Sequence, residues 1–518
     1  MKGHIPVIDI FAGPGGLGEG FSAFTKDDRT PFRIKLSIEA NPKAHSTLQL
    51  RSFYRQFERT AIPEDYYLML QGKITIGELY RRHSAKHALA KREAWKARLG
   101  KVSRKLLHER IDAVVKGKPL WVLIGGPPCQ AYSLVGRSRN GGIHRDDPKV
   151  HLYREYLKIL AVHGPPVFVM ENVKGLLSSK LDGKSIFDRI RRDLENPTSA
   201  LKPKDLKGFE GTGDSYRLLA LAAGEIEKNA DGTPVYRPSD FVIKCERHGI
   251  PQARHRVIIV GVRADLGINA LAPLKEHEPV SAVEAIGDLP RLRSGLSKEE
   301  DLPETWLTRV REIRKSGIMG ELKKAGHSDV VARIEKTLDE LSLPQKDRGM
   351  EYAEHDSQPD YNPGGWFRNK KMKALCNHTT RGHMASDLHR YLFAACFAKE
   401  KRRPPNLSDF PINLLPNHGN VFTALEGSNF ADRFRVQLKH RPSTTVTSHI
   451  AKDGHYYIHY DPSQCRSLTV REAARLQTFP DDYCFYGGRT DQYGQVGNAV
   501  PPLLAMQIAE RVYEILAK

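Results

Sequence analysis

Short apolar runs alternate with longer polar stretches over the first half of the chain. Residues 6–11 (PVIDIF) form one run and end in glycines, as a buried strand does. Residues 34–38 (IKLSI) predict a second strand, closed by Glu39. Residues 121–124 (WVLI) predict a third, stopped by Gly125-Gly126-Pro127-Pro128. Residues 167–170 (VFVM) predict a fourth that runs into Glu171-Asn172, and residues 257–262 (VIIVGV) a later one. Apolar runs separated by helical stretches imply parallel strands in an α/β sheet. In such sheets ligands gather at the carboxyl ends of the strands. The glycines after residue 11, Glu39, the loop at Cys129 and Glu171 are all assigned to that edge.

Two segments interrupt the pattern. Residues 81–118 have few breakers and are predicted helical; they carry 13 Lys/Arg against 3 Asp/Glu, a net +10. They are read as an insertion that contacts nucleic acid or, alternatively, as a solvated helical face. The second interruption, from about 275 to 465, lacks the sheet signal. It holds a charged helical portion and then polar sequence with Pro363-Gly364-Gly365 and Arg402-Arg403-Pro404-Pro405. It is predicted to be a separate domain.

Composition narrows the function class. With 81 Lys+Arg against 61 Asp+Glu the 518-residue chain carries +20. That balance points to a polyanionic partner, most simply nucleic acid. Hydrophobic residues at 40% exclude a disordered tail protein. The 6 cysteines show no CxxC pair, which argues against a zinc knuckle or a disulfide framework and fits a reducing cytoplasm. No metal site is expected. No secretory signal and no bilayer-length apolar run is visible, so membrane functions are set aside.

Four motifs carry chemistry. Gly13, Gly15 and Gly18 satisfy G-x-G-x-x-G between a strand and a helix, with Glu39 closing the next strand. Glycines admit a close ligand and a carboxylate can hold ribose hydroxyls, so this is a nucleotide or nucleoside-cofactor signal. Cys129 follows two prolines at a strand end, a setting that presents a thiolate nucleophile. The segment 131–149, with several glycines and basic residues, suits a lid over substrate. Glu171, 42 residues on, falls on a neighbouring strand end and is a candidate acid–base group. In Gln252-Ala253-Arg254-His255-Arg256, period-2 alternation would aim Gln252, Arg254 and Arg256 one way and His255 the other.

Taken in order, DIFAGPGGLGEGF, SIEAN, GGPPCQAYS, ENV, QARHR, RSLTVREAARLQTFPDDY and QVGNAVPP resemble the motif set of DNA (cytosine-5)-methyltransferases of the bacterial restriction–modification type. The motifs bracket nearly the whole chain. The resemblance implies an α/β, Rossmann-like catalytic domain that binds S-adenosyl-L-methionine, and a smaller target-recognition domain. The boundaries it suggests are 1–275 for the catalytic domain, with a basic insertion at about 50–118, then 276–489 for target recognition. Residues 490–518 would return to the catalytic domain. It implies Cys129 as nucleophile, Glu171 on the ring nitrogen and amine of a flipped-out cytosine, and Arg254 or Arg256 on its carbonyl oxygen. For the cofactor it implies Phe11, Gly13, Gly15, Gly16, Leu17 and Glu39, with Pro128, Asn498 and Val500. Two departures stand out: Ala40 follows Glu39 where the family often has a bulky residue, and no motif here carries the family's acidic residue that meets the adenine amine. Asp112 is the candidate for it. The implied partner is double-stranded DNA, bound by a monomer, with a separately encoded restriction endonuclease.

Three other readings compete. An NAD-dependent oxidoreductase explains the glycines and Glu39 but neither PPCQ nor the charge. A transfer-RNA cytosine-5 methyltransferase shares the motifs but lacks so large a recognition region. A catalytically inactive DNA-binding relative is opposed by the presence of every residue the chemistry needs.

Overall fold

In the computed structural model, residues 3–128, 152–222, 227–230, 234–368, 371–416 and 432–518 are described. Cys129 and the 131–149 segment lie outside them. The described chain divides into two compact units: Met1–Pro63 with Gly77–Glu278 and Ala499–Lys518, and Glu64–Ile76 with Pro279–Asn498. Residues 64–76 and 490–498 therefore go with the second unit.

The first unit is built on one eight-stranded sheet. In chain order its strands are β1 (Ile5–Ile10), β2 (Phe32–Glu39), β3 (Ala94–Lys96), β4 (Val122–Gly125), β5 (Val167–Val173), β6 (Tyr216–Leu219), β7 (Val242–Lys244) and β8 (His255–Arg263). Their spatial order is β7-β8-β5-β4-β1-β2-β3, with β6 also on β8. All six residues of β1 are buried, as a central strand requires. Strands β1 to β5 pair in parallel, as the alternation of runs predicts. Strand β8 differs: it runs antiparallel to β5, with Arg256 opposite Val173 and Ile258 opposite Glu171. Its beginning, rather than its end, thus reaches the carboxyl edge.

The helices are placed by local signals. Helix α1 (Gly16–Ala23) starts after Gly15 at φ 101°. Helix α2 (Pro42–Tyr54) has Pro42 in its first turn and Asn41 as its cap; the Asn41 side-chain oxygen accepts from Lys43 N at 2.9 Å and Ala44 N at 3.1 Å. The predicted all-helical segment 81–118 is a correction. It contains α3 (Ser84–Glu93) and α4 (Arg104–Val115), but between them β3 joins the sheet edge beside β2. Three residues are too few to show a period, which hides the strand in the sequence. Helix α5 (Tyr153–His163) leads into β5, and the C-terminal helix Pro502–Leu516 packs on α1.

The second unit has its own core around helix Ala385–Lys401, with Trp306, Ile334, Tyr391 and Phe397 buried within it. Among its described residues there is no counterpart of the large sheet, but the strands Gly349–Glu354 and Ala374–Thr379 form an antiparallel pair that the sequence pattern does not announce. Among the described residues no helix is long and apolar enough to cross a membrane.

Candidate active site at the carboxyl edge of the sheet

The edge where β1, β2, β4 and β5 end collects most of the residues singled out above. After β1 the chain turns through Phe11 at φ 55°, Gly13 at φ 59° and Gly15 at φ 101°. A left-handed backbone at a bulky residue such as Phe11 is strained, and such strain concentrates at ligand sites. The turn is held by Ala12 N donating to Ile38 O at 3.1 Å. Glu39 closes it: Oε2 accepts from Gly13 N at 2.7 Å and Oε1 from Asn41 N at 2.6 Å. The carboxylate is thus fixed at the lip of the glycine turn with lone pairs to spare. A methyl on Gly13 would meet nothing within 4 Å, so the turn leaves open space in front of its backbone. This bare backbone beside a fixed carboxylate fits the nucleoside portion of S-adenosyl-L-methionine. Gly16 takes the other side: a methyl there would lie 2.3 Å from Val500 O. Leu17 and Val500 themselves are buried.

Strand β4 delivers Gly125 to Pro128. Gly126 faces β5 so closely that a methyl would sit 2.8 Å from Glu171 Oε2. The buried Asn172 donates from Nδ2 to Pro127 O at 3.4 Å and accepts from Val173 N at 2.9 Å. The end of β5 therefore positions the Pro127-Pro128 turn that leads to Cys129. Glu171 Oε1 lies 2.9 Å from Arg256 Nε, and both side chains are about nine-tenths buried (13% and 11% exposed). Arg256 also donates from Nη1 to His255 O.

Arg254 makes a different contact. Its backbone N donates to Gln252 O at 2.8 Å, a tight turn that breaks the alternation predicted through this stretch. Its side chain, 1% exposed, donates from Nη2 to Ala499 O at 2.8 Å. His255 pairs with Glu246 at 2.8 Å. Asp112 is not at this edge either: it is exposed on α4 and sits 3.2 Å from His163 Nδ1. The strand next to β2 ends in Lys96, which the register places opposite Glu39. Asn498 is exposed at the end of helix Arg489–Asn498, the last residue of the second unit. Gly126 and Asn172 are the positions that sequence reasoning passed over. The doubled glycine before Pro127 was the available signal for the first.

Electrostatics separates two further groups. Asp9, in β1 beneath the glycine turn, is 1% exposed, and burial pushes its carboxyl up to about 7 although Arg55 opposes the shift. Cys245, between β7 and β8, is fully buried and its thiol is pushed up to about 12, although Arg254 and Arg256 oppose the shift. It stays a thiol at neutral pH and is no nucleophile.

Residues 108–197 and 231–514 match the profile of the family described as C-5 cytosine-specific DNA methylase. The chain belongs to that family. This cytosine methylase is 30% identical to the type II methyltransferase M.Bpa9945I of Bacillus paralicheniformis, over 98% of this chain and 99% of the relative. It is 25% identical to the type II methyltransferase M1.HphI of Haemophilus parahaemolyticus, over 98% and 86%. It is 26% identical to the DNA (cytosine-5-)-methyltransferase M.ApeKI of Aeropyrum pernix, over 76% and 81%. A solved structure of a prophage-encoded E. coli protein assigned as a DNA modification methyltransferase shares the fold. It has a TM-score of 0.50 at 16% identity and covers 99% of this chain and all of its own. The chain is thus a DNA (cytosine-5-)-methyltransferase related to the type II restriction–modification enzymes.

Proposed function

We propose that this methylase acts on carbon 5 of a cytosine flipped out of a specific duplex DNA sequence, through a covalent adduct at Cys129. The observation that carries the reading is the Glu171–Arg256 pair, 2.9 Å apart and largely buried at the strand edge where the Pro127-Pro128 turn leads to Cys129. A stacked base cannot reach so recessed a pair, so the cytosine must leave the helix.

The Cys129 thiolate adds to ring carbon 6, forming the S–C6 bond and making carbon 5 nucleophilic. Glu171 holds ring nitrogen 3 and the exocyclic amine and shares a proton there as charge builds on the ring. Arg256 binds the ring carbonyl oxygen while keeping Glu171 in place; Arg254 anchors the returning C-terminal segment. S-adenosyl-L-methionine, held by the glycine turn and Glu39, supplies the electrophilic methyl group when bound. Loss of the carbon-5 proton to a base and rupture of the S–C6 bond then free the enzyme. The first unit is the catalytic part and the second reads the target sequence; a separately encoded endonuclease of the same specificity would be the partner in a restriction–modification pair.

Duplex DNA with 5-fluorocytosine at the target tests this, because fluorine blocks the release step. The wild-type chain should form a denaturant-stable adduct with DNA and Cys129→Ser should form none. A Cys129→Ser protein that retained a tenth of wild-type methylation would overturn the covalent route.

A further inference from the structure

The basic segment 81–118 is not one surface. Because β3 runs parallel to β2, with Ser37 opposite Ala94 and Glu39 opposite Lys96, it divides the segment between the two edges of the sheet. Lys91 and Arg92 lie in the last turn of α3, on the amino-terminal side of β3. Lys96 ends β3 at the carboxyl edge, where Ala97 N donates to Glu39 O at 3.0 Å. Arg98 and Lys101 follow in a turn closed by Lys101 N and Val102 N on Arg98 O, both at 3.0 Å. Helix α4 then carries the chain back, so Lys116 and Lys118 return to the amino edge.

Several other cations of the segment are engaged. Arg104 donates to Lys204 O and Asp205 O, Arg110 lies over the Trp95 ring, and Lys86 donates to Gln56 O. Lys96, Arg98 and Lys101 are exposed, and none of their side chains hydrogen-bonds or ion-pairs with a described residue.

We propose that Lys96, Arg98 and Lys101 form a phosphate-binding rim that grips duplex DNA to one side of the target base. This rests on the DNA-methylating function proposed above. Three exposed cations that form no ion pair with a described residue suit a polyanion, although Glu155 lies beside Gly100 in the same turn; the sulfonium cofactor carries positive charge of its own and is a poor match. Strand β3 stands three strands from β4, roughly 14 Å at the usual spacing. A duplex lying along this edge would bring to the rim phosphates about four base pairs from the target, at ~3.4 Å per pair. Such contacts position the duplex without reading its sequence.

The test compares two variants of the full chain: the triple Lys96→Ala/Arg98→Ala/Lys101→Ala, and the double Lys91→Ala/Arg92→Ala from the end of α3 that precedes β3. Affinity for short target and non-target duplexes is measured across a salt series, and cofactor affinity by calorimetry. The triple variant should flatten the slope of log affinity against log salt by about 2–3 units on both duplexes, since each phosphate contact contributes roughly 0.9. It should leave cofactor affinity and the methylated sequence unchanged, and the double variant should keep the wild-type slope. A wild-type slope in the triple variant overturns the rim. Equal flattening per charge in both variants overturns its placement, because general basicity would then explain binding. Weakened cofactor affinity in the triple variant overturns it in favour of a cofactor contact. A wild-type chain that bound no DNA at all would instead overturn the proposed function.

Discussion

The Glu171 carboxylate lies over the Cα of Gly126, just past the end of the neighbouring strand, with room for a hydrogen but not for a methyl, which would stand 2.8 Å from Oε2. The atom in the way is the far end of a side chain, so the fold can yield at little expense. The carboxylate would move instead, and with it the group meant to hold the cytosine ring. Gly126→Ala should therefore keep its melting temperature and cofactor affinity while methyl transfer falls about 10²-fold, as when a preorganised contact is lost. Thermal unfolding, calorimetry and single-turnover methylation measured together check this. A variant that turned over normally would show that Glu171 need not sit where it does.

Glu171 and Arg256 should fail in the same way when altered directly. Glu171→Gln removes the charge that shares a proton with the ring, and Arg256→Ala leaves that carboxylate without its 2.9 Å partner. Each is expected to slow methyl transfer by about 10²–10³, with cofactor affinity unchanged because neither touches the glycine turn. Arg254→Ala should behave differently: losing a buried donor to Ala499 O should lower thermal stability first. If Arg254→Ala left stability intact and cut only the rate, the roles of the two arginines would be exchanged.

What the sequence showed and what it hid follow from the size of the signals. Strands β1, β2, β4, β5 and β8 announce themselves because a buried strand is a run of apolar residues with a breaker at its end. Glu39, Glu171 and Arg256 are legible because each sits just where such a run stops or starts. Strand β3 is not, since Ala94–Lys96 has one apolar position worth the name and lies between two basic helices. The acidic adenine contact is not legible either: Asp112, the candidate for it, is on the exposed face of the next helix. The Gln252–Arg256 stretch misled differently. Alternation is a property of extended backbone, and a hydrogen bond from Arg254 N to Gln252 O bends it in a way residue types do not encode. Gly126 was passed over because a close approach between two strands is a tertiary fact.

In the second unit Arg471 is fully buried and spends most of its donors on backbone. Nε donates to Cys376 O at 2.9 Å, Nη1 to Pro480 O at 3.1 Å, and Nη2 to Tyr483 O at 2.8 Å and to Cys376 Sγ at 2.9 Å. Although burial pushes the Cys376 thiol up, the hydrogen bond from the Cys484 thiol and then the Arg471 charge hold it below its usual range. Arg471→Ala would leave several buried acceptors unmatched, so a loss of roughly 3–5 kcal/mol is expected. Hydrogen exchange should show faster opening confined to residues 279–498, with the sheet of the first unit still protected. Uniform loss of protection across both units would show that they unfold as one.

Asp9 sets a pH dependence whose sign can be worked out. Its carboxyl titrates at 3.8 when unfolded and at about 7 when buried in β1. The folded chain therefore holds a proton that the unfolded chain releases between those values. Stability from this group is fully present below about pH 4 and is lost as pH rises to about 7, at ~1.4 kcal/mol per pH unit, on the order of 4 kcal/mol in all. Asp9→Asn cannot titrate, so the stability of the variant minus that of wild type should climb from pH 4 to pH 7 and level off above it. Denaturant unfolding of both proteins at a series of pH values isolates the group, since other titrations cancel in the difference. A difference that stayed flat across that range would mean that Asp9 keeps an ordinary carboxylate pKa, and that water or a neighbouring donor solvates it beneath the glycine turn.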